Sequence, residues 1–158
     1  MKKTLVALAA TAALCTAPSA SADTWSPSGS WQMSGTVTVH KGMTLNCPLT
    51  INATVPSGGA TASATPSFSG FPCGTITFNG TPYLAELQPD GTTLTLFNVS
   101  VNTITSGGCS GDISGQWDNS AKTLTVNTTL PETAPGTGDC TIAGTLTLNS
   151  PSGGSITP

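Results

Sequence analysis

Charge is what this sequence lacks. Only 7% of its 158 residues are ionised side chains, and arginine does not occur at all, where an average globular domain carries about 25% Asp, Glu, Lys and Arg. Four lysines and a pI near 4.6 cannot build the cationic stripe that neutralises phosphates, which excludes DNA, RNA and anionic lipid as partners. Histidine occurs once, at His40, and aromatics make up 5%. Disorder does not follow from this. Disordered chains combine high charge with low hydrophobicity, whereas this one is 37% hydrophobic with a mean hydropathy of +0.11. Long apolar runs are absent too: none approaches the roughly 20 residues of a membrane-spanning helix. Thr, Ser, Gly and Asn fill the space, and β-branched Thr suits the wet face of a strand. The composition reads as all-β.

The first 22 residues have another logic. Met1-Lys2-Lys3 is a positive n-region, Leu5 to Leu14 an apolar core of signal-peptide length, and Ala20-Ser21-Ala22 a small-residue cleavage site. A signal peptide over 1–22 and export to the cell surface or medium are therefore expected. Cys15 is no good lipidation site, because Leu14 stands where a small residue belongs. Cleavage leaves Cys47, Cys73, Cys109 and Cys140, an even set that reads as two disulfides in an oxidising compartment. Three pairings are possible. The sequence-local one, Cys47 with Cys73 and Cys109 with Cys140, is favoured because each bond staples one half of the chain, at about 3 to 4 kcal/mol per loop closure.

Residues 23–158 form one domain, with no linker inside and with flexible ends expected at about 23–30 and 150–158. Strict alternation dominates. Trp31, Met33, Gly35, Val37 and Val39 share one face and Gln32, Ser34, Thr36, Thr38 and His40 the other. After a turn at Lys41-Gly42, the run Leu45 to Val55 alternates again, with Pro48 among its outward positions, which places that strand at a sheet edge or bulge. Residues 57–74 carry one weak strand through Ala60, Ala62 and Ala64. Further strands are predicted at 75–79, 83–88, 92–105, 112–117, 123–130 and 140–149. Within the long run, Leu94 and Leu96 conflict in parity with Val99 and Val101, and a bulge near Phe97-Asn98 reconciles them. No helical period survives beyond the signal peptide. Eight to ten short antiparallel strands fit a β-sandwich of Ig-like or Greek-key type, preferred here, or a closed barrel.

Groups able to do chemistry are few. After cleavage there remain His40, Lys41, Lys122 and seven carboxylates from Asp23 to Asp139, too sparse for matched acid, base and nucleophile. No catalytic residue, cofactor or metal is therefore assigned. Glu86 with Asp90, or Asp112 with Asp118, could pair as glycosidase acids, but Asp90-Gly91 and Asp118-Asn119 read better as turn carboxylates. The Asp112, Asp118 and Asp139 loops offer oxygens for calcium without a D-x-D-x-D-G loop. Trp31 and Trp117 are expected in the core. Trp25, in a Ser-Pro-Gly stretch, is the one expected to be exposed, and with Tyr83 it is the candidate for a sugar-stacking platform.

Several segments are familiar together: Gly35-Thr-Val-Thr-Val-His-Lys-Gly-Met-Thr-Leu-Asn-Cys47, Cys73-Gly-Thr-Ile-Thr-Phe, Val101-Asn-Thr-Ile-Thr-Ser-Gly-Gly-Cys109, Gly115-Gln-Trp117 and Leu124-Thr-Val-Asn-Thr-Thr-Leu-Pro131. They resemble the secreted alkane-oxidation activator (Pra-type) proteins. The resemblance implies a small extracellular, non-enzymatic protein linked to growth on hydrocarbons and, in some members, to adhesion and the biofilm matrix. Two kinds of role are expected on that basis. One is an adhesin-like surface or matrix protein that self-associates by adding strands at exposed sheet edges. The other is a secreted module that binds hydrocarbon or carbohydrate. Partners would be hydrophobic surfaces, extracellular matrix or further copies, with no membrane insertion.

Overall fold

A computed structural model describes residues 24–158; the expected signal peptide and Cys15 lie outside the described residues. Alternation becomes strands almost wherever it was read: β1 (Thr24–Ser26), β2 (Gly29–His40), β3 (Thr44–Val55), β4 (Ala62–Phe68), β5 (Thr77–Asn79), β6 (Tyr83–Leu87), β7 (Thr93–Asn102), β8 (Gly108–Asp118), β9 (Thr123–Leu130), β10 (Cys140–Ser150) and β11 (Ser155–Thr157). One 3-10 turn at Cys73–Thr75 interrupts them. Every pairing is antiparallel.

The sheet is not half of a sandwich. Its order is β7-β6-β4-β3-β2-β10-β9-β8, and β8 pairs back onto β7 from Thr93↔Gln116 to Asn102↔Gly108, so eight strands close into a barrel. Short β5 takes over from β6 along the upper part of β7, at Thr77↔Asn102. This corrects the preferred sandwich. Alternation reports that one face of each strand is buried, but the same pattern serves a sheet facing a second sheet and a sheet curled onto itself.

Trp31, Met33 and Val37 from β2, Cys47, Leu49 and Ile51 from β3, and Leu94, Leu96, Leu124 and Leu146 opposite them fill the interior. Tight curling requires small residues where strands approach. A Cβ on Gly35 would collide with the Thr145 carbonyl, and one on Gly144 would meet the Val37 backbone at 2.8 Å. The bulge expected near Phe97-Asn98 is present: the β7–β8 register shifts between Leu96 and Val99, Asn98 has φ +55°, and its N–H donates to Asp112 Oδ1 at 2.8 Å. Pro48 sits on an interior strand rather than at the sheet edge. It lies one residue beyond the β3–β4 pairing, which ends at Leu49↔Phe68, so its missing N–H costs that ladder nothing.

The disulfides join Cys47 to Cys73 (S–S 2.04 Å) and Cys109 to Cys140 (2.01 Å). The ends, expected to be loose, instead pair with each other as β1–β11 and form the floor of the barrel. Trp25 is consequently buried at 3% exposure, not exposed as its Ser-Pro-Gly neighbourhood suggested, and packs edge-on against Trp31 at 5.2 Å. Local composition could not show that its neighbours arrive from residues 155–157.

Asn119 ties the floor down. Its Oδ1 accepts from Trp117 Nε1 at 2.7 Å and from the Ile156 N–H at 2.9 Å, while its Nδ2 donates to the Ile156 carbonyl. Asn119→Ala strands these partly buried groups. It is expected to cost about 2 to 3 kcal/mol in urea denaturation and to speed hydrogen exchange at Ile156; an unchanged midpoint would refute the role.

Candidate functional site

The end opposite the floor is open. There the β2–β3 turn (41–43), Ile76 of the connection 69–76 and the β7–β8 loop (103–107) border an apolar cavity of about 50 Å³, and the β9–β10 loop (131–139) is bonded to Lys41 beside it. Below it the lumen tapers to spaces of about 20 Å³ and then about 10 Å³ above Trp25 and Trp31. Packing is therefore complete at the floor and incomplete at the mouth. Six of the seven hydrophobic residues that are only partly buried against the core, Val39, Leu45, Phe68, Phe78, Ile113 and Cys140, line this one cavity. Phe68 and Phe78 stack at 5.2 Å on its wall. Exposed large hydrophobics gather here as well: Met43 (44%), Ile104 (40%) and Phe71 (94%) stand on three different connections at the mouth end, and only Leu84 lies elsewhere among the described residues.

Sequence reasoning read Lys41 as a turn residue and missed its role. Its side chain is 5% exposed. Nζ donates to the Gly138 carbonyl at 2.5 Å and Thr137 Oγ1 at 3.3 Å, with Gly108 O and Cys109 Sγ at 3.5 Å. Thr105 Oγ1 donates to the Lys41 carbonyl at 3.1 Å. One ammonium thus binds the rim loops together beside the Cys109–Cys140 disulfide. The signal available in sequence was the rarity of lysine itself, one placed in an otherwise uncharged strand–turn–strand.

Glu132 works from the other side of the same loop. Its carboxylate accepts from the Gly136 N–H at 2.8 Å and from the Gly138 N–H, so Gly138 is held on both sides, by Glu132 through its N–H and by Lys41 through its carbonyl. These amides, Gly136 first, hold the Glu132 pKa below its ordinary value. Asp90 is lowered to about 2, first by the Thr93 hydroxyl and then by the N–H groups of Thr93 and Thr92. Asp118 is lowered by the N–H groups of Ala121 and Ser120. Both are the turn carboxylates expected of them.

The other candidates are not brought together. Asp118 ends β8 at the floor while Asp139 lies in a mouth loop, and among the described residues no group of three or more His, Cys, Asp or Glu could hold a metal ion. His40 is exposed at the end of β2. Trp25, Trp31, Trp117 and Tyr83 all face inward at 2–4% exposure, which removes the stacking platform. Tyr83 donates its hydroxyl proton to the Asn79 carbonyl at 2.5 Å and accepts from the Ser100 N–H at 3.3 Å.

A model of the alkane oxidation protein activator PraA/PraB-like family matches residues 1–158. The chain belongs to this family. Comparison with curated proteins and with solved structures finds no match. For this PraA/PraB-like chain, the barrel is charge-poor and its mouth is apolar. Among the described residues no helix is long and apolar enough to cross a membrane.

Two outcomes test the rim. Lys41→Met keeps the stem but removes the donor, leaving the Gly138 carbonyl unpaired; a loss of about 2 kcal/mol and faster proteolysis within 131–139 are expected, and wild-type resistance would exclude the tether. Acidification opens the same loop. A lowered folded pKa means that the Glu132 contribution is full above its ordinary value of 4.5 and is lost as pH falls through the lowered one. The protection of the Gly136 and Gly138 amides, taken relative to intrinsic exchange at each pH, should fall across that window in the wild type. In Glu132→Gln it should be low already at neutral pH.

Proposed function

We propose that this PraA/PraB-like chain is an exported, non-enzymatic module that takes the end of a hydrocarbon chain into the mouth of its barrel. The observation that carries this reading is the concentration of half-buried and exposed apolar side chains around one cavity, beside which Lys41, Thr103 and Thr105 are already paired. Water gains little in such a space, whereas each methylene that enters is worth about 0.8 kcal/mol. The cavity is a third of the roughly 150 Å³ that holds benzene in an engineered core. It accommodates a chain end, and the rest of the chain lies over Met43, Ile104 and Phe71. The family's link to alkane oxidation supports an alkane as the natural guest.

The non-enzymatic part of the reading is supported by the use of Asp90, Asp118 and Glu132 to hold backbone N–H groups. An adhesin-like role through strand addition finds less support. Closure of the barrel consumes the long edges and leaves short ones: the outer edges of β5 and of the β1–β11 ribbon, each strand three residues long, and residues 65–68 of β4 beyond its pairing with β6.

Equilibrium partition of n-hexadecane into protein solution tests the proposal. Saturation near one chain per protein is expected. Val39→Phe, which fills the cavity, should abolish uptake; Met43→Ser with Phe71→Ser, which changes only exposed side chains, should reduce it about tenfold through lost apolar contact. Uptake no greater than by an unrelated protein of equal mass would overturn the reading.

A further inference from the structure

Charge is distributed unevenly around the barrel. Five consecutive strands, β4, β3, β2, β10 and β9, contain no Asp, Glu or Lys, and their one histidine is His40 at the mouth. The carboxylates on strands belong to the remaining wall: Glu86 on β6, Asp112 and Asp118 on β8. Over the uncharged half, the outward positions are hydroxyls and amides in register, except at His40, Pro48 and Ala143. Thr123, Thr147, Ser34, Thr50 and Ser67 form one row across all five strands. Rows of this kind repeat about every 4.8 Å between strands and about 6.8 Å along them, the dimensions of a sugar ring.

These exposed side chains hold one another. Gln32 Nε2 donates to Asn52 Oδ1 at 3.1 Å, Thr38 Oγ1 to Asn46 Oδ1 at 2.9 Å and Asn149 Nδ2 to Ser34 Oγ at 2.6 Å, while Thr125 and Thr145 share a bond of 3.3 Å. Lacing of this sort lowers the entropy a ligand must remove. Toward the floor, the wall is indented by a groove of about 420 Å³ whose lining includes Ser30, Gln32, Asn52, Thr54, Thr65 and Pro82. The Gln32–Asn52 bond uses one donor and one acceptor and leaves the Gln32 oxygen as an acceptor and the Asn52 amide nitrogen as a donor for a ligand hydroxyl.

The geometry points to this wall, with its groove, as a binding surface for a neutral polysaccharide. The absence of charge matches a partner that carries none, and a concave, hydrogen-bonding groove takes a ligand with its own thickness. No aromatic ring is exposed on the wall, so recognition rests on neutral hydrogen bonds that are individually weak. The partner is therefore a polymer that crosses several rows, not a free monosaccharide. The surface is distinct from the apolar mouth.

Native affinity electrophoresis of the purified protein tests this, in gels cast with hydroxyethyl cellulose, dextran, galactomannan or alginate. Retardation by at least one of the three neutral polymers and none by anionic alginate is expected. Gln32→Ala with Asn52→Ala should weaken the apparent affinity about five- to tenfold, and Thr65→Lys, an exposed change that places a charge in the groove, should weaken it as well. Near-UV circular dichroism checks that both variants are folded. Wild-type mobility in all three neutral gels overturns the proposal, as does retardation that both folded variants retain. Dimers in sedimentation that Thr65→Lys dissolves, without polymer binding, would assign the wall to a second copy of the chain and overturn it equally.

Discussion

Everything in this molecule depends on the pairing of β7 with β8. Without it the sheet would have two long edges, a hydrophobic face open to water and nothing to cover it. With it, each of the eight barrel strands has a neighbour on both sides, and the apolar faces meet across a common axis. Closure demands curvature that side chains would resist, and the chain supplies it with Gly35 and Gly144 at close approaches and with a bulge at Asn98 that shifts register between Leu96 and Val99. A polar, charge-poor sequence can afford few other devices, since ion pairs are scarce; backbone ladders, buried apolar area and two disulfides hold the fold.

The two ends of the barrel answer to different constraints. At the floor β1 and β11 meet, aromatic rings interlock and Asn119 satisfies backbone and indole groups together. At the mouth the connections are longer, both disulfides lie nearby, and Lys41 and Glu132 hold the two sides of one residue, Gly138, in the 131–139 loop. A lysine buried against carbonyls is costly unless its donors are used, and here they join segments far apart in sequence. That arrangement fixes the rim around a space that the side chains do not fill, which is what a binding site in a small barrel requires.

Period-two alternation made the strands, their inward faces, the bulge and the turn carboxylates legible before any coordinates. Trp31 and Trp117 fell on apolar faces and lie in the core; Asp90 and Asp118 preceded turn residues and serve their turns. Closure was not legible, because the same alternation serves a sandwich and a barrel and the β7–β8 contact is decided by curvature. Trp25 was misjudged for a related reason: its local setting is that of a loop, and its burial depends on Ile156. The apolar mouth could not be seen either, since Val39, Leu45, Phe68 and Ile113 look like ordinary core positions until the barrel is closed and one end is left unfilled. Lys41 was hidden by its place in a turn.

The pairing of β1 with β11 brings the earliest described residues against the last ones. Such a floor cannot exist on a chain still being made or threaded through a pore: until residues 155–157 are free to fold, Trp25 has no strand to pair with and the lower lumen lacks its base. The barrel wall can form first, but its floor exists only once β1 meets β11, so a chain cut short before Ile156 would remain a tube open at both ends.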